Sequence, residues 1–376
     1  MKKTLQAGAA LTAAAMALTL TACGNNEPGT TTSTAPGTPA ASTPAGEPLT
    51  GTLQGTGASS MKEAQQVWRS EFNKKHSGLT INYAPDGSGA GRKAFSEGGA
   101  AFAGSDRALK NEEISGEKAL TLANCGDGGA LNLPVYISPI AIIYNVPGVK
   151  DLKLDGPTTA KIFRGEIKNW NDPAIAALNA GVTLPDLAIS PVHRSDNSGT
   201  TENFTDTLSK VAKDVWTDKA SGDWPKELGG EAAQGTSGVV AAVKNGQGTI
   251  GYADESGVES NMTHAKFSTT GQGEFFGPTA EAAAKIVNAS KKVEGRAEND
   301  YALNLDRTAA GYPFVLISYM IVCQNYKDAA VGKLVSGYTQ FVVSDEAQNA
   351  SVKQAGNAPL SGELATGVRK AAATIK

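Results

Sequence analysis

Residues 192–204, with the sequence VHRSDNSGTTENF, place an arginine just ahead of a small, hydroxyl-rich turn. A strand-like run at 187–192 leads into the turn, and apolar residues recur after it at helical spacing, at Phe204 and Leu208. The pattern predicts a strand, a tight turn and then a helix for which Ser198 is the N-cap.

The start of this helix has the chemistry of an oxyanion site. The backbone N–H groups of Gly199, Thr200 and Thr201 have no intrahelical partner, and they point outward at the positive end of the helix dipole. Arg194 adds a planar, permanently charged donor. The turn could therefore hold a tetrahedral anion, although an ordinary capped surface helix with a solvated arginine has the same local sequence.

Ser59 and Ser60 lie at a second junction between a strand and a helix, and Ser60 with Glu63 has the spacing of a capping box. With Lys62 the two serines also match the pattern S-x-x-K, and residues 195–197 match S-D-N. These are two of the three signatures of serine β-lactamases, but K-T-G is missing from the chain. Such short patterns recur by chance, so a β-lactamase-like hydrolase is a remote alternative.

Two further junctions carry polar residues. Ser88 lies in a glycine-rich turn between an alternating strand at 79–83 and a helix that we expect to begin at Arg92, and Asp106 follows a short apolar strand. Each has an ordinary explanation as a turn of an α/β fold. Their common position, at the carboxyl ends of strands, is where open α/β sheets bind ligands.

Asp106 narrows the choice of anion. A carboxylate can accept a hydrogen bond from an oxyanion that still carries a proton, as phosphate does at neutral pH, and it repels fully ionised sulfate. If these segments form one site, Asp106 therefore favours phosphate over sulfate.

Composition and the spacing of the histidines argue against several other kinds of binding site. The chain has 376 residues, 40% of them hydrophobic, and a net charge of −3. A chain of this length is expected to form more than one lobe, and without a basic patch it is not expected to bind nucleic acid. His76, His193 and His264 have no Cys or His at ligand spacing, so the sequence predicts no metal site and no cofactor.

The N-terminus resembles a bacterial lipoprotein signal. Lys2 and Lys3 precede a short apolar run that ends in Leu-Thr-Ala-Cys, with the cysteine at position 23. The resemblance implies a signal peptide at 1–22, and lipid, including palmitate, on Cys23. A Thr-, Ser-, Pro- and Ala-rich stretch completes a predicted disordered tether at 23–48.

Cys125 and Cys323 remain as an even pair in a chain that would be exported. Cys323 ends a strand-like run, and Cys125 precedes another. A disulfide is reasonable if those strands are neighbours, and two inert buried thiols are the alternative, because spacing alone does not show a bridge.

Four segments together resemble, in order and spacing, the phosphate-binding protein of the phosphate-specific ABC importer. They are residues 55–60 (GTGASS), 83–91 (YAPDGSGAG), 102–106 (FAGSD) and 194–200 (RSDNSGT). Two further segments, 165–172 (GEIKNWND) and 248–252 (GTIGY), are also similar to family signatures.

The resemblance implies a set of phosphate ligands and a mechanism of capture by hinge closure. The residues carried over are Ser59, Ser60, Ser88 and Asp106 from one lobe and Arg194, Ser198, Gly199 and Thr200 from the other. Ser60 departs from the family pattern, in which a bulky aromatic is common, and the departure matters little if only its backbone N–H is used. Ser59 stands where threonine is common and keeps the hydroxyl.

The resemblance also implies the fold: a two-lobed class II periplasmic-binding-protein fold of α/β class, with mixed sheets flanked by helices and two hinge strands. The expected hinge strands lie at 134–145 and 312–323. Lobe I then comprises 49–144 and 312–376, and lobe II comprises 145–311.

The implied protein is a monomeric, non-enzymatic lipoprotein on the extracytoplasmic face of the bacterial cell membrane. It would touch the membrane only through its lipid and deliver phosphate to permease subunits of the importer. The alternatives left open are a binding protein for sulfate or molybdate, and an adhesin or sensor on the same fold.

Overall fold

The computed structural model describes residues 47–309 and 311–376. The predictions for the signal peptide, Cys23 and nearly all of the tether lie outside these residues. Within them, no helix is both long enough and apolar enough to span a membrane.

Short strands and helices alternate along most of the described chain. The strands are β1 (Gly51–Gly57), β2 (Leu79–Ala84), β3 (Phe102–Ser105), β4 (Ala130–Asn145), β5 (Lys153–Asp155), β6 (Ser190–Arg194), β7 (Glu231–Ala233), β8 (Thr249–Asp254), β9 (Thr263–His264), β10 (Lys266–Ser268), β11 (Lys291–Lys292), β12 (Leu303–Asn304) and β13 (Val315–Cys323). The helices are α1 (Lys62–Lys75), α2 (Ser88–Ser96), α3 (Asn111–Ile114), α4 (Gly156–Phe163), α5 (Pro173–Leu178), α6 (Gly199–Val211), α7 (Gly235–Asn245), α8 (Ala280–Ala289), α9 (Ala329–Val342), α10 (Asp345–Ala355) and α11 (Gly362–Ala372).

The main sheet is mixed and has the strand order β2-β1-β3-β13-β4-β8-β6-β7. Strands β1, β2 and β3 pair in parallel at one end, and β6, β7 and β8 pair in parallel at the other. We call the part from β2 to β13 the first half of the sheet and the part from β8 to β7 the second half. The α/β class with mixed sheets that the sequence predicted is confirmed.

Two long antiparallel strands join the halves. The first part of β4 pairs with β13, from Ala130 opposite Cys323 to Pro139 opposite Val315, and its last residues pair with β8. Every residue of β13 is buried, and only the last residue of β4 is partly exposed. These are the two apolar runs that the sequence marked as hinge strands.

Several boundaries differ from the sequence predictions. Helix α2 begins at Ser88 and not at Arg92, because Gly87 takes the N-cap position with a φ of 102° that favours glycine. Strand β6 begins at Ser190, three residues later than expected. Both shifts fall at turns, where periodicity carries little information.

Candidate functional site

The turn at 194–200 is built as the sequence predicts. Ser198 is the N-cap of α6, and its Oγ accepts a hydrogen bond from the backbone N–H of Thr201 at 3.2 Å. The helix is fixed against the sheet because Phe204 stacks on Tyr252 of β8, with ring centroids 4.2 Å apart. Gly199 and Thr200 are thereby held, buried, at the first two helical positions, where their N–H groups have no intrahelical acceptor.

Arg194 ends β6 beside this turn, and its side chain is almost completely buried. Its Nε and Nη2 donate to the two carboxylate oxygens of Asp196 at 2.8 and 2.5 Å, a bidentate pair. Asp196 also accepts from the backbone N–H of Gly235 at 3.0 Å. Burial acts to raise the pKa of Asp196, but the hydrogen bonds and charge of Arg194 outweigh it and lower that pKa. Arg194 is thus fixed in direction and keeps further N–H groups for a ligand.

Ser88 is the first residue of α2, and close backbone packing sets its position. A Cβ on Gly91 would lie 2.6 Å from the Cα of Gly57 in β1, so only glycine lets the helix approach the strand this closely. The Ser88 Oγ accepts a hydrogen bond from the backbone N–H of Asp106 at 3.1 Å. The start of α2 therefore lies against the end of β3.

Asp106 is 3% exposed and follows the last residue of β3. Its Oδ1 accepts from the hydroxyls of Ser60 at 2.6 Å and Ser318 at 2.7 Å, and its Oδ2 accepts from the Thr200 hydroxyl at 3.2 Å. Burial raises the pKa of Asp106 above the ordinary carboxyl value, while the hydrogen bonds from Ser60 and Ser318 and the charge of Arg194 act to lower it. The carboxylate lies where elements of both halves of the sheet converge.

Ser59 and Ser60 do not have the roles that their spacing suggested. The capping box is wrong: the N-cap of α1 is Met61, which makes no side-chain cap, and the Ser60 hydroxyl bonds Asp106 instead. The Ser59 hydroxyl lies 3.0 Å from Thr236 Oγ1 and accepts from the Thr236 N–H at 3.2 Å. Lys62 is largely exposed, with its ammonium 3.5 Å from Glu63, so the structure gives no support to a serine–lysine pair of the β-lactamase type.

The two halves of the sheet touch around these residues. The backbone N–H of Gly89 donates to the carbonyl of Asn197 at 3.0 Å, and Asn203 Nδ2 donates to the carbonyl of Asp106 at 2.7 Å. The guanidinium of Arg92 bridges the halves, donating to Ser105 Oγ at 2.8 Å and to Asn197 Oδ1 at 3.2 Å. Burial lowers the pKa of Arg92 to about 10, with the charge of Arg107 acting in the same direction.

All eight sequence-predicted site residues are buried in this region. Asp106 directly contacts Ser60, Ser88 and Thr200, while Ser59 contacts the start of α7 through Thr236. Whether they bind an anion stays a prediction at this point. No group of three or more His, Cys, Asp or Glu residues in the described part of the chain could hold a metal ion.

Sequence reasoning missed several residues of the region: Ser318, Thr236, Asn203, Arg92 and the partner role of Asp196. Ser318 had a usable signal, because it is a lone small hydroxyl inside the apolar run Val315–Cys323. Thr236, Asn203 and Arg92 are polar residues on helices, and their partners are far from them in the sequence. Asp196 is only two residues from Arg194, but the same spacing occurs in many turns without an ion pair. No local pattern identifies such pairs.

Cys125 and Cys323 form a disulfide, with 5.2 Å between their Cα atoms. Cys323 is the last residue of β13, and Cys125 forms an isolated bridge with Tyr326 just beyond it. The sequence left open a disulfide or two free thiols, and the structure contains the disulfide.

Comparison with known proteins places the chain in a family. Residues 42–346 match the model of the PBP superfamily domain. The phosphate-binding protein PstS 3 of Mycobacterium leprae is 38% identical over 306 residues, which cover 78% of this chain and 79% of that protein. The phosphate-binding protein PstS3 of Mycobacterium bovis (strain BCG / Pasteur 1173P2) is 37% identical over 336 residues, 88% of each chain. The chain belongs to the PstS-type phosphate-binding proteins.

A solved structure extends this family likeness to the fold. A putative phosphate ABC transporter substrate-binding protein from Clostridium perfringens, determined with bound phosphate, matches 81% of this chain and 98% of its own, with a TM-score of 0.57 and 20% identity. The family resemblance seen in the sequence and the two-lobed periplasmic-binding-protein fold are therefore confirmed.

Proposed function

We propose that this PstS-type protein captures inorganic phosphate between its two lobes by hinge closure and delivers it to an ABC importer. The observation that carries the proposal is the surroundings of Asp106. A buried carboxylate that accepts from three hydroxyls lies between the starts of α2 and α6, beside a buried arginine. The relatives at 37–38% identity are named phosphate-binding proteins, which supports the same ligand.

The charge of the ligand would be met mainly by dipoles and one arginine. The N–H groups at the starts of α6 and α2 face an anion with their positive ends, and each such terminus favours it by about 0.3–1 kcal/mol or more when buried. Arg194 would supply the full charge, held in direction by Asp196. Asp106 would accept the proton that phosphate carries and would repel sulfate.

Closure would involve β4 and β13, the strands shared by the two halves of the sheet. We propose the lobe boundaries predicted from the sequence, with lobe I at 49–144 and 312–376 and lobe II at 145–311. Contacts between Asn197 and Gly89, and between Asn203 and Asp106, would then form on closing, so that a ligand touching both lobes favours the closed state.

The remaining elements of the proposal concern location and partners. We propose that the mature protein is a monomer held by lipid on Cys23 at the extracytoplasmic face of the cell membrane. Its partners are the permease subunits of the importer, and the relatives' names give no indication of enzymatic activity.

The proposal is tested by titration calorimetry of the anion-free protein with phosphate. Arg194→Ala should abolish most binding, because it removes the buried, permanently charged donor at the start of the turn. Arg369→Ala is the matched control, since Arg369 is a partly exposed arginine on α11 that pairs with Asp345, far from the turn in sequence. Near-normal phosphate binding by Arg194→Ala would contradict the site; no binding by the unaltered protein would contradict the function.

A further inference from the structure

Ser318 lies in β13, where the only other hydroxyl is that of its neighbour Tyr319 and the remaining residues are apolar. It is completely buried, and a buried hydroxyl without a partner costs on the order of 1–3 kcal/mol. The strand register supplies the partner. Tyr319 pairs with Ser105 of β3 in antiparallel fashion, so the preceding position of β13 faces the residue after Ser105. On its other side, the pairing of β13 with β4 shifts register between Ser318 and Tyr319. Ser318 is thereby placed opposite Asp106, and its Oγ donates to Asp106 Oδ1 at 2.7 Å.

Ser60, which lies near the start of the described chain, also donates a hydrogen bond to Asp106 Oδ1. Its Oγ lies 2.6 Å from Asp106 Oδ1 and 3.5 Å from Ser318 Oγ. The two serines are 258 residues apart in sequence, and both are at most 1% exposed. A bulky aromatic is common at the position of Ser60 in the family that the sequence resembles, so this hydroxyl contact comes with the serine of the present chain.

The two carboxylate oxygens of Asp106 have different hydrogen-bond partners. Two hydroxyl donors occupy Oδ1, which satisfies its two lone pairs while the carboxyl group is ionised. Oδ2 accepts from Thr200 Oγ1 at 3.2 Å and has a second lone pair for another donor. A ligand reaching Oδ2 must therefore bring its own proton.

We propose that Ser60 and Ser318 are specificity-determining positioning residues, which hold Asp106 as an acceptor so that the site takes only oxyanions that carry a proton. The ligand class is a tetrahedral hydrogen-bearing oxyanion, such as phosphate or arsenate, and fully ionised sulfate is rejected. This inference rests on the proposed function and names two residues that set the selectivity of the same site.

The hydroxyls of Ser60 and Ser318 affect anion selectivity because they help to keep Asp106 ionised. Burial raises the pKa of Asp106, and the hydrogen bonds from Ser60 and Ser318 are the two largest influences that lower it. If one hydroxyl is removed, Asp106 becomes protonated at a higher pH. A neutral carboxyl group can donate a hydrogen bond, so it no longer rejects sulfate.

Other ionisable groups act on Asp106 from the surrounding elements. They are Arg194 of β6, Arg92 of α2, Tyr83 of β2 and Asp254 of β8. Burial raises the pKa of Asp254 to about 7, so Asp254 also titrates in the range of interest. Because these four groups are unchanged in serine variants, a difference in pH profile between such a variant and the unaltered protein reports on the serines.

The test measures phosphate and sulfate affinities of the full protein by titration calorimetry from pH 5 to pH 8. The variants are Ser318→Ala and Ser60→Ala, with Ser318→Thr as the conservative replacement that keeps a hydroxyl. Ser351→Ala is the matched control, because Ser351 is a completely buried serine whose hydroxyl donates to the Gln348 carbonyl.

We expect each alanine variant to raise the ratio of sulfate to phosphate affinity by about tenfold or more, the effect of losing one hydrogen bond to a charged group. Sulfate should begin to compete at a higher pH in these variants than in the unaltered protein, and Ser318→Thr and Ser351→Ala should behave as the unaltered protein does. If Ser318→Ala does not fold, Ser60→Ala gives the same test on the same oxygen.

One outcome would overturn the inference: an unchanged sulfate-to-phosphate affinity ratio in a folded alanine variant, including the case in which both affinities fall equally at every pH. Failure of the proposed function is distinguishable from this outcome, because the unaltered protein would then bind no phosphate at all.

Discussion

Gly199 lies at a close approach between the two halves of the sheet, and replacing it with alanine should prevent that approach. A Cβ at this position would lie 2.5 Å from Asp106 Cβ, 2.5 Å from Ser88 Oγ and 3.0 Å from Asp106 N. Favourable contacts between carbon atoms need about 3.5–4.0 Å. The start of α6 would therefore have to move away from Asp106 by about 1 Å or more.

A movement of this size removes hydrogen bonds that join the halves. Thr200 to Asp106 at 3.2 Å and Asn203 to the Asp106 carbonyl at 2.7 Å would both be lost. With a net value of about 0.5–1.5 kcal/mol for each, or about 1.5–3 kcal/mol where a charged group is involved, the total is about 2–4 kcal/mol. At 1.4 kcal/mol per factor of ten, Gly199→Ala should weaken phosphate binding by about 30- to 1,000-fold.

The assay is titration calorimetry with phosphate, accompanied by thermal unfolding without ligand. Alanine is a better helix former than glycine, so the unliganded variant should keep its stability. Gly229→Ala is the matched control, since a Cβ there meets no atom within 4 Å. Near-normal phosphate affinity for Gly199→Ala would refute the reasoning, because the bound state would then not need this contact.

Three other changes have defined outcomes. Asp106→Asn should weaken discrimination against sulfate more than it weakens phosphate binding, because an amide can donate; competition titration checks this, and unchanged selectivity would contradict it. Burial raises the pKa of Asp254 to about 7. The stability that this group contributes is therefore fully present at a pH below the ordinary carboxyl pKa, and it is lost as the pH rises from there through about 7. As pH rises from 5 to 8, Asp254→Asn should therefore gain stability relative to the unaltered protein by about 3 kcal/mol, and nearly all of the gain should fall below pH 7; a pH-independent difference in urea unfolding would contradict this. Replacing both Cys125 and Cys323 by Ser opens a link across 198 residues and should lower the free energy of unfolding, with an upper limit of about 5 kcal/mol on the chain-entropy argument; an unchanged urea midpoint would contradict it.

The sequence was informative where one local rule decided the structure. Ser198 was identified as an N-cap because its hydroxyl needs only the N–H three residues on. The two apolar runs at β4 and β13 were recognisable because strands buried on both faces lack polar alternation.

The sequence was misleading where a distant partner competed with a local one. Ser60 had the spacing of a capping box, but it lies inside a 3-10 turn (Ser59–Met61) that precedes α1, so it is not at the N-cap position. Its hydroxyl donates instead to the buried carboxylate of Asp106. Ser59 is likewise held by Thr236, which follows it by 177 residues. Ser318 has its role only because the pairing of β13 with β3 brings it opposite Asp106, and the register of that pairing cannot be read from either strand alone.

The most direct test of the central claim is titration calorimetry of the mature, anion-free protein with phosphate and then with sulfate at pH 8. The arrangement of Arg194, Asp106 and the starts of α2 and α6 predicts tight, one-to-one phosphate binding and no response to sulfate. Equal binding of both anions would contradict the role of Asp106, and folded protein that binds neither anion would contradict the phosphate function itself.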